Sequence, residues 1–102
     1  APGQMNFVIT NEAALDLESI WLYTIETWSA EQADKYLNLI FNEIEYLSEN
    51  PNSGIDFSHT RKGYLRSKIN YHFIFYKVNS RKGEIEIIRI LHEQMDIENH
   101  LL

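Results

Sequence analysis

The sequence YHFIFYKV at residues 71–78 decides the fold class of this chain. Aromatic and β-branched residues dominate it, as is typical of a β-strand. The polar segment NSRKG at 79–83 then supplies a turn, and IEIIRIL at 85–91 supplies a second apolar strand. Two such runs joined by a short turn containing glycine predict an antiparallel hairpin.

Working outward from this hairpin, the sequence predicts two further strands. Residues 64–69 precede a turn near Asn70, so they extend the hairpin into a three-stranded antiparallel meander. Residues 6–9 form a short first strand, whereas residues 55–62 show no periodicity and predict an irregular loop. In the last strand, strict alternation predicts that Arg89 shares a face with Ile85, Ile87 and Leu91.

Two amphipathic helices fill the region between the first strand and the meander. Thr10 or Asn11 can cap the first helix, whose apolar stripe is Ala13, Leu17, Ile20, Trp21, Thr24 and Trp28. Ser29 followed by Gln32 fits a capping box for the second helix, whose stripe is Ala33, Tyr36, Leu37, Ile40, Ile44 and Leu47. The connection is so short that the two helices are expected to pack as an antiparallel hairpin.

These elements predict one α+β domain over residues 5–102. Its expected order is β-α-α-β-β-β: an N-terminal strand, a helical hairpin packed on an antiparallel sheet, and a short C-terminal helical turn. The four residues before Met5, Ala1-Pro2-Gly3-Gln4, are interpreted as a cloning remnant.

Composition limits the chemistry. The chain has 102 residues and no cysteine, which excludes thiolate nucleophiles and thiolate zinc sites. His92, Glu93 and Asp96 lack a second histidine at ligand spacing, so neither a metal nor a cofactor is expected. No apolar run approaches the roughly 20 residues that span a bilayer, which predicts a cytoplasmic protein without membrane contact.

Charge is unevenly distributed along the chain. Eight of the nine lysines and arginines follow position 60, whereas ten of the fifteen acidic residues precede it. This pattern predicts an acidic and a basic surface, although solvation of the helices by glutamate and protection of a sheet edge by lysine explain it equally well. Because the net charge is −6, we expect protein partners and no independent binding to nucleic acid.

Several side chains have both a structural and a functional interpretation. His72 is a packed histidine or a general base, and His92 either caps the tail or pairs with Asp96 as a base and its orienting group. Trp21 and Trp28 are core contacts or part of an exposed partner surface. Arg66 and Arg89 are held by carboxylates such as Glu86 or Glu93, or they recognise a target.

Segments in both halves of the chain carry a family resemblance. In the N-terminal half they are Ala14-Leu15-Asp16-Leu17-Glu18-Ser19-Ile20-Trp21 with Tyr23-Thr24, Trp28-Ser29-Ala30-Glu31-Gln32-Ala33 with Tyr36, and Asn50-Pro51 with Gly54. In the C-terminal half they are Arg61-Lys62-Gly63-Tyr64, His72-Phe73-Ile74-Phe75-Tyr76 and Arg89-Ile90-Leu91-His92-Glu93-Gln94-Met95-Asp96. With these segments the chain resembles, over nearly its whole length, the ParE branch of the RelE/ParE toxin superfamily. The resemblance implies the toxin of a type II toxin–antitoxin module, which forms a hetero-oligomer with a ParD-like antitoxin and acts on DNA gyrase.

The superfamily also contains ribonucleases that cleave mRNA on the ribosome. In that branch an arginine usually follows the histidine that corresponds to His72, and a catalytic tyrosine or histidine–tyrosine pair ends the chain. Here Phe73 occupies the first position, and Gln94-Met95-Asp96 stands near the end. The resemblance therefore favours a toxin that is not an enzyme and inhibits gyrase by binding. A ribosome-dependent endonuclease using Arg66, Arg89 and His92 is the alternative, and a degenerate member that binds only antitoxin is a third possibility.

Two surfaces are expected on such a toxin. The target-binding residues are predicted to be Arg66, Arg89, His92, Met95 and Asp96. The antitoxin-binding residues are predicted to be Trp21, Trp28, Tyr36, Glu43, Phe73 and Phe75.

Overall fold

A helical hairpin packs on a five-stranded sheet in the computed structural model, which describes residues 5–101. The elements are β1 (Asn6–Ile9), α1 (Asn11–Thr27), α2 (Ala30–Glu49), β2 (Ile55–Asp56), β3 (Leu65–Ile69), β4 (His72–Asn79), β5 (Glu84–His92) and α3 (Ile97–His100). The proposed cloning remnant at 1–4 lies outside the described residues. Within residues 5–101, no helix is long and apolar enough to cross a membrane.

Both helix starts that the sequence predicts are confirmed. The Thr10 hydroxyl accepts a hydrogen bond from the Ala13 amide at 3.1 Å, and the Ser29 hydroxyl accepts one from the Gln32 amide at 3.1 Å. Each cap satisfies an amide that the first turn of a helix leaves without a partner. The caps therefore fix where each helix of the hairpin begins.

The strand order is β1-β5-β4-β3-β2. β5, β4, β3 and β2 pair antiparallel, as the predicted meander requires, but β1 pairs parallel to β5. The prediction of an irregular loop at 55–62 is wrong at its start, because Ile55 and Asp56 pair with Arg66 and Leu65 as the short edge strand β2. Two residues form too short a run for any periodicity to indicate a strand.

Apolar side chains cover both faces of the sheet. On the hairpin face, which packs against α1 and α2, the buried sheet residues are Ile74, Tyr76, Ile85, Ile87 and Ile90. On the far face, the buried residues Phe57, Phe75, Leu91 and Leu101 form a second cluster. The far-face cluster includes Leu101, so this residue, which follows α3, packs against the sheet.

A β-bulge at Ile88 changes which way the end of β5 faces. Tyr76 pairs with Ile87 and Phe75 pairs with Arg89, so Ile88 is an extra residue with no partner in β4. The prediction that Arg89 shares a face with Ile85 and Ile87 is therefore wrong. Ile90 instead joins those isoleucines on the hairpin face, and Leu91 packs on the far face.

Candidate functional site

An open groove of about 1050 Å³ lies between the outer half of the helical hairpin and the end of the sheet. The hairpin provides Tyr23, Trp28, Tyr36 and Leu39, whereas the sheet and the segment after it provide Tyr71, His72, His92 and Met95. The tip of the hairpin, with Trp28, and the turn between β3 and β4, with Tyr71, both line the groove. We refer to it below as the hairpin groove.

Large aromatic side chains in the hairpin groove are open to solvent. Trp28 is 72% exposed, Tyr23 66% and Tyr71 64%. Aromatic rings contribute much of the binding energy at protein interfaces, and a group of exposed apolar side chains is typical of a partner site. The groove is therefore a candidate binding surface.

Two histidines and a tyrosine form a polar cluster at the base of the groove. The Tyr36 hydroxyl lies 2.6 Å from Nδ1 of His72, and the rings of His72 and His92 meet edge to face at 5.1 Å. Burial, together with the nearby His92 ring, lowers the pKa of His72 from 6.5 to about 4. Burial also raises the pKa of Tyr36. His72 is consequently neutral at pH 7.

His92 is oriented by backbone and not by a carboxylate. Its Nδ1 accepts a hydrogen bond from the Gln94 amide at 3.1 Å, which is the local capping arrangement that the sequence allows. Asp96 instead accepts from the Asn99 side chain, and its carbonyl lies 2.8 Å from Nδ1 of His100. The described residues therefore do not form the base and orienting pair of His92 and Asp96.

Arg89 takes part in an ion pair with α1. Its Nε and Nη2 donate to the two carboxylate oxygens of Asp16 at 2.8 and 2.9 Å, and its Nη1 donates to the His100 carbonyl at 3.0 Å. These bonds to Asp16 raise the pKa of Arg89 above its ordinary value. The suggestion that Glu86 or Glu93 holds Arg89 is wrong, because the carboxylate that accepts from its guanidinium is Asp16 of α1. Glu93 instead pairs with Lys68 at 2.6 Å, which lowers the pKa of Glu93.

Arg66 lies on the far face, away from the hairpin groove. Its guanidinium carbon is 4.5 Å from the ring centre of Phe73 and 5.3 Å from that of Phe57. The sheet register places Arg66 opposite Phe75, and Phe75 opposite Arg89. The two arginines thus stand in one cross-strand row with Phe75 between them.

The predicted target-binding residues divide between two surfaces. Arg66 is on the far face, and Arg89 is tied to Asp16 beside the edge of β5. His92 and Met95 line the hairpin groove, whereas Asp96 belongs to the exposed turn before α3. The described structure therefore does not bring these five residues into one site.

The predicted antitoxin-binding residues are also divided. Trp28 and Tyr36 line the groove, but the Trp21 indole donates to Asp34 outside it at 3.3 Å. Phe75 is fully buried and cannot contact a partner, and Phe73 lies beneath Arg66 on the far face. Glu43, also predicted to bind antitoxin, is half-buried and accepts a hydrogen bond from Ser67, so it does not present an exposed charge.

The groove residues that were not predicted from the sequence include three large side chains: Tyr23, Leu39 and Tyr71. Tyr23 and Leu39 fall outside the buried stripes of α1 and α2, and Tyr71 follows Asn70, whose φ of 49° makes the turn. An aromatic or aliphatic side chain that leaves the buried stripe of an amphipathic helix is a signal that could have identified the first two. Within residues 5–101, no group of three acidic or histidine side chains is placed to hold a metal ion.

Comparison with known proteins assigns the family. The family described as ParE toxin of type II toxin-antitoxin system, parDE, matches residues 7–97. Toxin ParE1 of Caulobacter vibrioides is 37% identical over 93 residues, with 91% of this chain and 94% of that protein covered. The chain belongs to the ParE toxin family.

Other comparisons agree with membership of the ParE family. Toxin ParE1 of Mycobacterium tuberculosis is 32% identical over 95 residues, covering 93% of this chain and 96% of that protein. A solved structure described as the chromosomal ParDE TA system from P. aeruginosa superposes with a TM-score of 0.74 at 22% identity, covering 88% of this chain and 97% of that chain. At that identity the superposition supports the ParE-type fold alone.

Proposed function

We propose that this ParE-family protein is the toxin of a type II toxin–antitoxin module, that a ParD-like antitoxin occupies its hairpin groove, and that it inhibits DNA gyrase by binding. The group of exposed aromatic side chains in the groove carries the antitoxin part of this proposal. The solved structure with the same fold is described as part of a ParDE system, which supports an antitoxin partner by analogy.

The charge of the hairpin specifies the chemistry of the antitoxin segment. Nine carboxylates and a single lysine, Lys35, lie between residues 11 and 49. A segment with apolar anchors for the groove and basic flanking residues would complement this surface. Opposite charges of this kind accelerate association more than they strengthen a bound complex.

The arrangement of polar groups favours inhibition by binding over RNA cleavage. A ribonuclease needs a base, an acid and cations around one phosphate. Arg66 and Arg89 stand in a row on the far face, whereas His92 lines the groove with Ile90 of the hairpin face. The sheet therefore separates Arg66 from His92, the Arg89 guanidinium is held by Asp16, and Phe73 packs beneath Arg66.

Expression of the toxin in a gyrase-dependent bacterium tests the target. We expect induction of the DNA-damage response while translation is still intact, and purified toxin should inhibit supercoiling by gyrase or trap its cleaved-DNA complex. Primer extension on cellular mRNA provides the comparison. Cleavage at ribosomal A-sites with unaffected gyrase would instead support the endonuclease alternative.

Substitutions in the hairpin groove test the antitoxin site. Trp28→Ala and Tyr71→Ala should each weaken binding of the co-purified antitoxin by about 2 kcal/mol, as loss of an aromatic anchor does. Tyr46→Ala is the matched control, because Tyr46 is 50% exposed on α2 but does not line the groove. Equal effects of the three substitutions would argue against the groove as the binding site.

A further inference from the structure

The outer edge of β5 changes its neighbour halfway along the strand. β1 covers this edge only as far as the pairing of Ile9 with Ile87. Beyond that point, the Thr10 hydroxyl donates to the Ile88 carbonyl at 2.8 Å, and the Asp16 carboxylate accepts from the Ile90 amide at 2.9 Å. The Ile88 carbonyl and the Ile90 amide, the first two backbone groups after β1 that point away from β4, are thus bonded by side chains instead of by a neighbouring strand.

The next two outward groups on this edge have no partner among residues 5–101. The Glu93 amide donates to the Tyr71 carbonyl at 2.8 Å, so odd-numbered residues here bond toward β4, and Ile90 and His92 point outward. The outward carbonyl of His92 already accepts from the Met95 amide at 3.0 Å. The Ile90 carbonyl and the His92 amide remain, and both residues line the hairpin groove.

This pair of free groups selects the direction of an added strand. An antiparallel neighbour bonds both the amide and the carbonyl of one residue. The Ile90 amide already donates to Asp16, and the His92 carbonyl already accepts from the Met95 amide. Neither residue therefore has both its amide and its carbonyl free for an antiparallel neighbour. A parallel neighbour instead bonds the carbonyl of one residue and the amide two residues later, and these are the two groups left free.

We propose that an extended segment of the antitoxin adds to β5 as a parallel strand, opposite Leu91 and in line with β1. This inference rests on the proposed antitoxin function and adds the mode of binding. One residue of the segment would donate to the Ile90 carbonyl and accept from the His92 amide. Its two neighbours would point to the same side as Ile90 and His92, into the groove beside Tyr23, so they should be apolar.

Hydrogen exchange of the ¹⁵N-labelled toxin tests this strand addition. The probe is the short protein encoded beside the toxin gene, co-expressed and purified as the complex. The His92 amide should exchange at least about 100-fold more slowly in the complex than in free toxin, as expected for a newly bonded amide. The Ile90 amide is the internal control, since its bond to Asp16 exists before binding. A hydrogen-bond scalar coupling from the His92 nitrogen to an antitoxin carbonyl would be direct support.

Distinct results overturn distinct parts of the proposal. A complex that alters Trp28 fluorescence but leaves His92 exchange unchanged would refute strand addition while leaving the groove as the antitoxin site. Cross-strand NOEs of an antiparallel pair would refute the parallel direction. Absence of any complex would refute both this inference and the proposed antitoxin function.

A pair of variants separates the backbone from the side chain. His92→Pro removes the amide hydrogen, whereas His92→Ala keeps it, so the proline variant should bind antitoxin about 10-fold more weakly than the alanine variant. Circular dichroism and thermal melting check that both fold. If the proline variant unfolds, the exchange experiment on the unaltered toxin decides the question. Equal affinities of two folded variants would overturn the proposal.

Discussion

Removal of Arg89 should destabilise the protein, because the arginine and Asp16 form a largely buried ion pair. Their side chains are 22% and 14% exposed, and Asp16 also accepts the Ile90 amide. Breaking a fully buried pair costs about 3–5 kcal/mol. Because both groups keep some contact with water, we expect Arg89→Ala to lower the free energy of unfolding by about 2–3 kcal/mol.

Asp16 variants divide this cost into its parts. Asp16→Ala leaves Nε and Nη2 of Arg89 and the Ile90 amide without an acceptor, so it should cost about 1 kcal/mol more than Arg89→Ala. Asp16→Asn retains an oxygen that can accept from the Ile90 amide, and it should be the milder of the two. Lys35→Ala is the control, since Lys35 pairs with Glu31 in a highly exposed pair and should change stability by less than about 0.5 kcal/mol.

Urea unfolding and a growth assay on the same variants decide the role of Arg89. A change of about 2–3 kcal/mol should appear as a melting temperature roughly 10–20 °C lower for a domain of this size. If Arg89→Ala instead costs less than about 1 kcal/mol and abolishes toxicity with antitoxin binding intact, the arginine faces the target and the structural argument fails.

Four further predictions follow from other parts of the structure. The lowered pKa of His72 means that the folded state favours its neutral form, so the free energy of unfolding should fall as the pH drops from 6.5 toward about 4. The loss should be at most about 3 kcal/mol, and about 1–2 kcal/mol after solvent screening. His72→Gln should remove this pH dependence of the free energy of unfolding, as measured by urea titrations between pH 5 and 7. Phe75→Ala should lower the free energy of unfolding by about 3–5 kcal/mol, whereas Trp28→Ala should change it by less than about 1, as measured by urea unfolding. Glu45→Lys, at an exposed position of the acidic hairpin, should slow antitoxin association and reduce its salt dependence in stopped-flow measurements, and an unchanged rate would contradict electrostatic steering. Deletion of 97–102 should lower the free energy of unfolding by about 2 kcal/mol or more by uncovering the far-face cluster, and an unchanged melting curve would show that the tail is not docked.

Local signals in the sequence were sufficient for the helical hairpin and most of the sheet. The caps at Thr10 and Ser29 are short-range hydrogen bonds, and the buried stripes of α1 and α2 follow the helical period. The strand pattern at 71–91 likewise depends on residues close in sequence. These elements were predictable because each is encoded by neighbouring residues.

The site was less predictable because its geometry depends on contacts between distant residues. Asp16 and Arg89 are 73 positions apart, and no periodicity relates them. The groove is lined by residues of both the hairpin and the sheet, so neither element determines it alone. The sequence therefore identified Trp28, Tyr36 and His92 as candidates without indicating that they share one groove.

The extra residue Ile88 shifts the alternation of side chains along β5 by one position. Up to Ile87, odd positions face the helical hairpin; from Ile90 onward, even positions do. Deletion of Ile88 would remove the extra residue and restore regular alternation, with Ile90 and His92 still on the hairpin face and Arg89 still on the far face. Relatives should therefore be aligned separately before and after Ile88. After this position, an alignment error of one residue would assign every residue of the hairpin face to the far face, and the reverse.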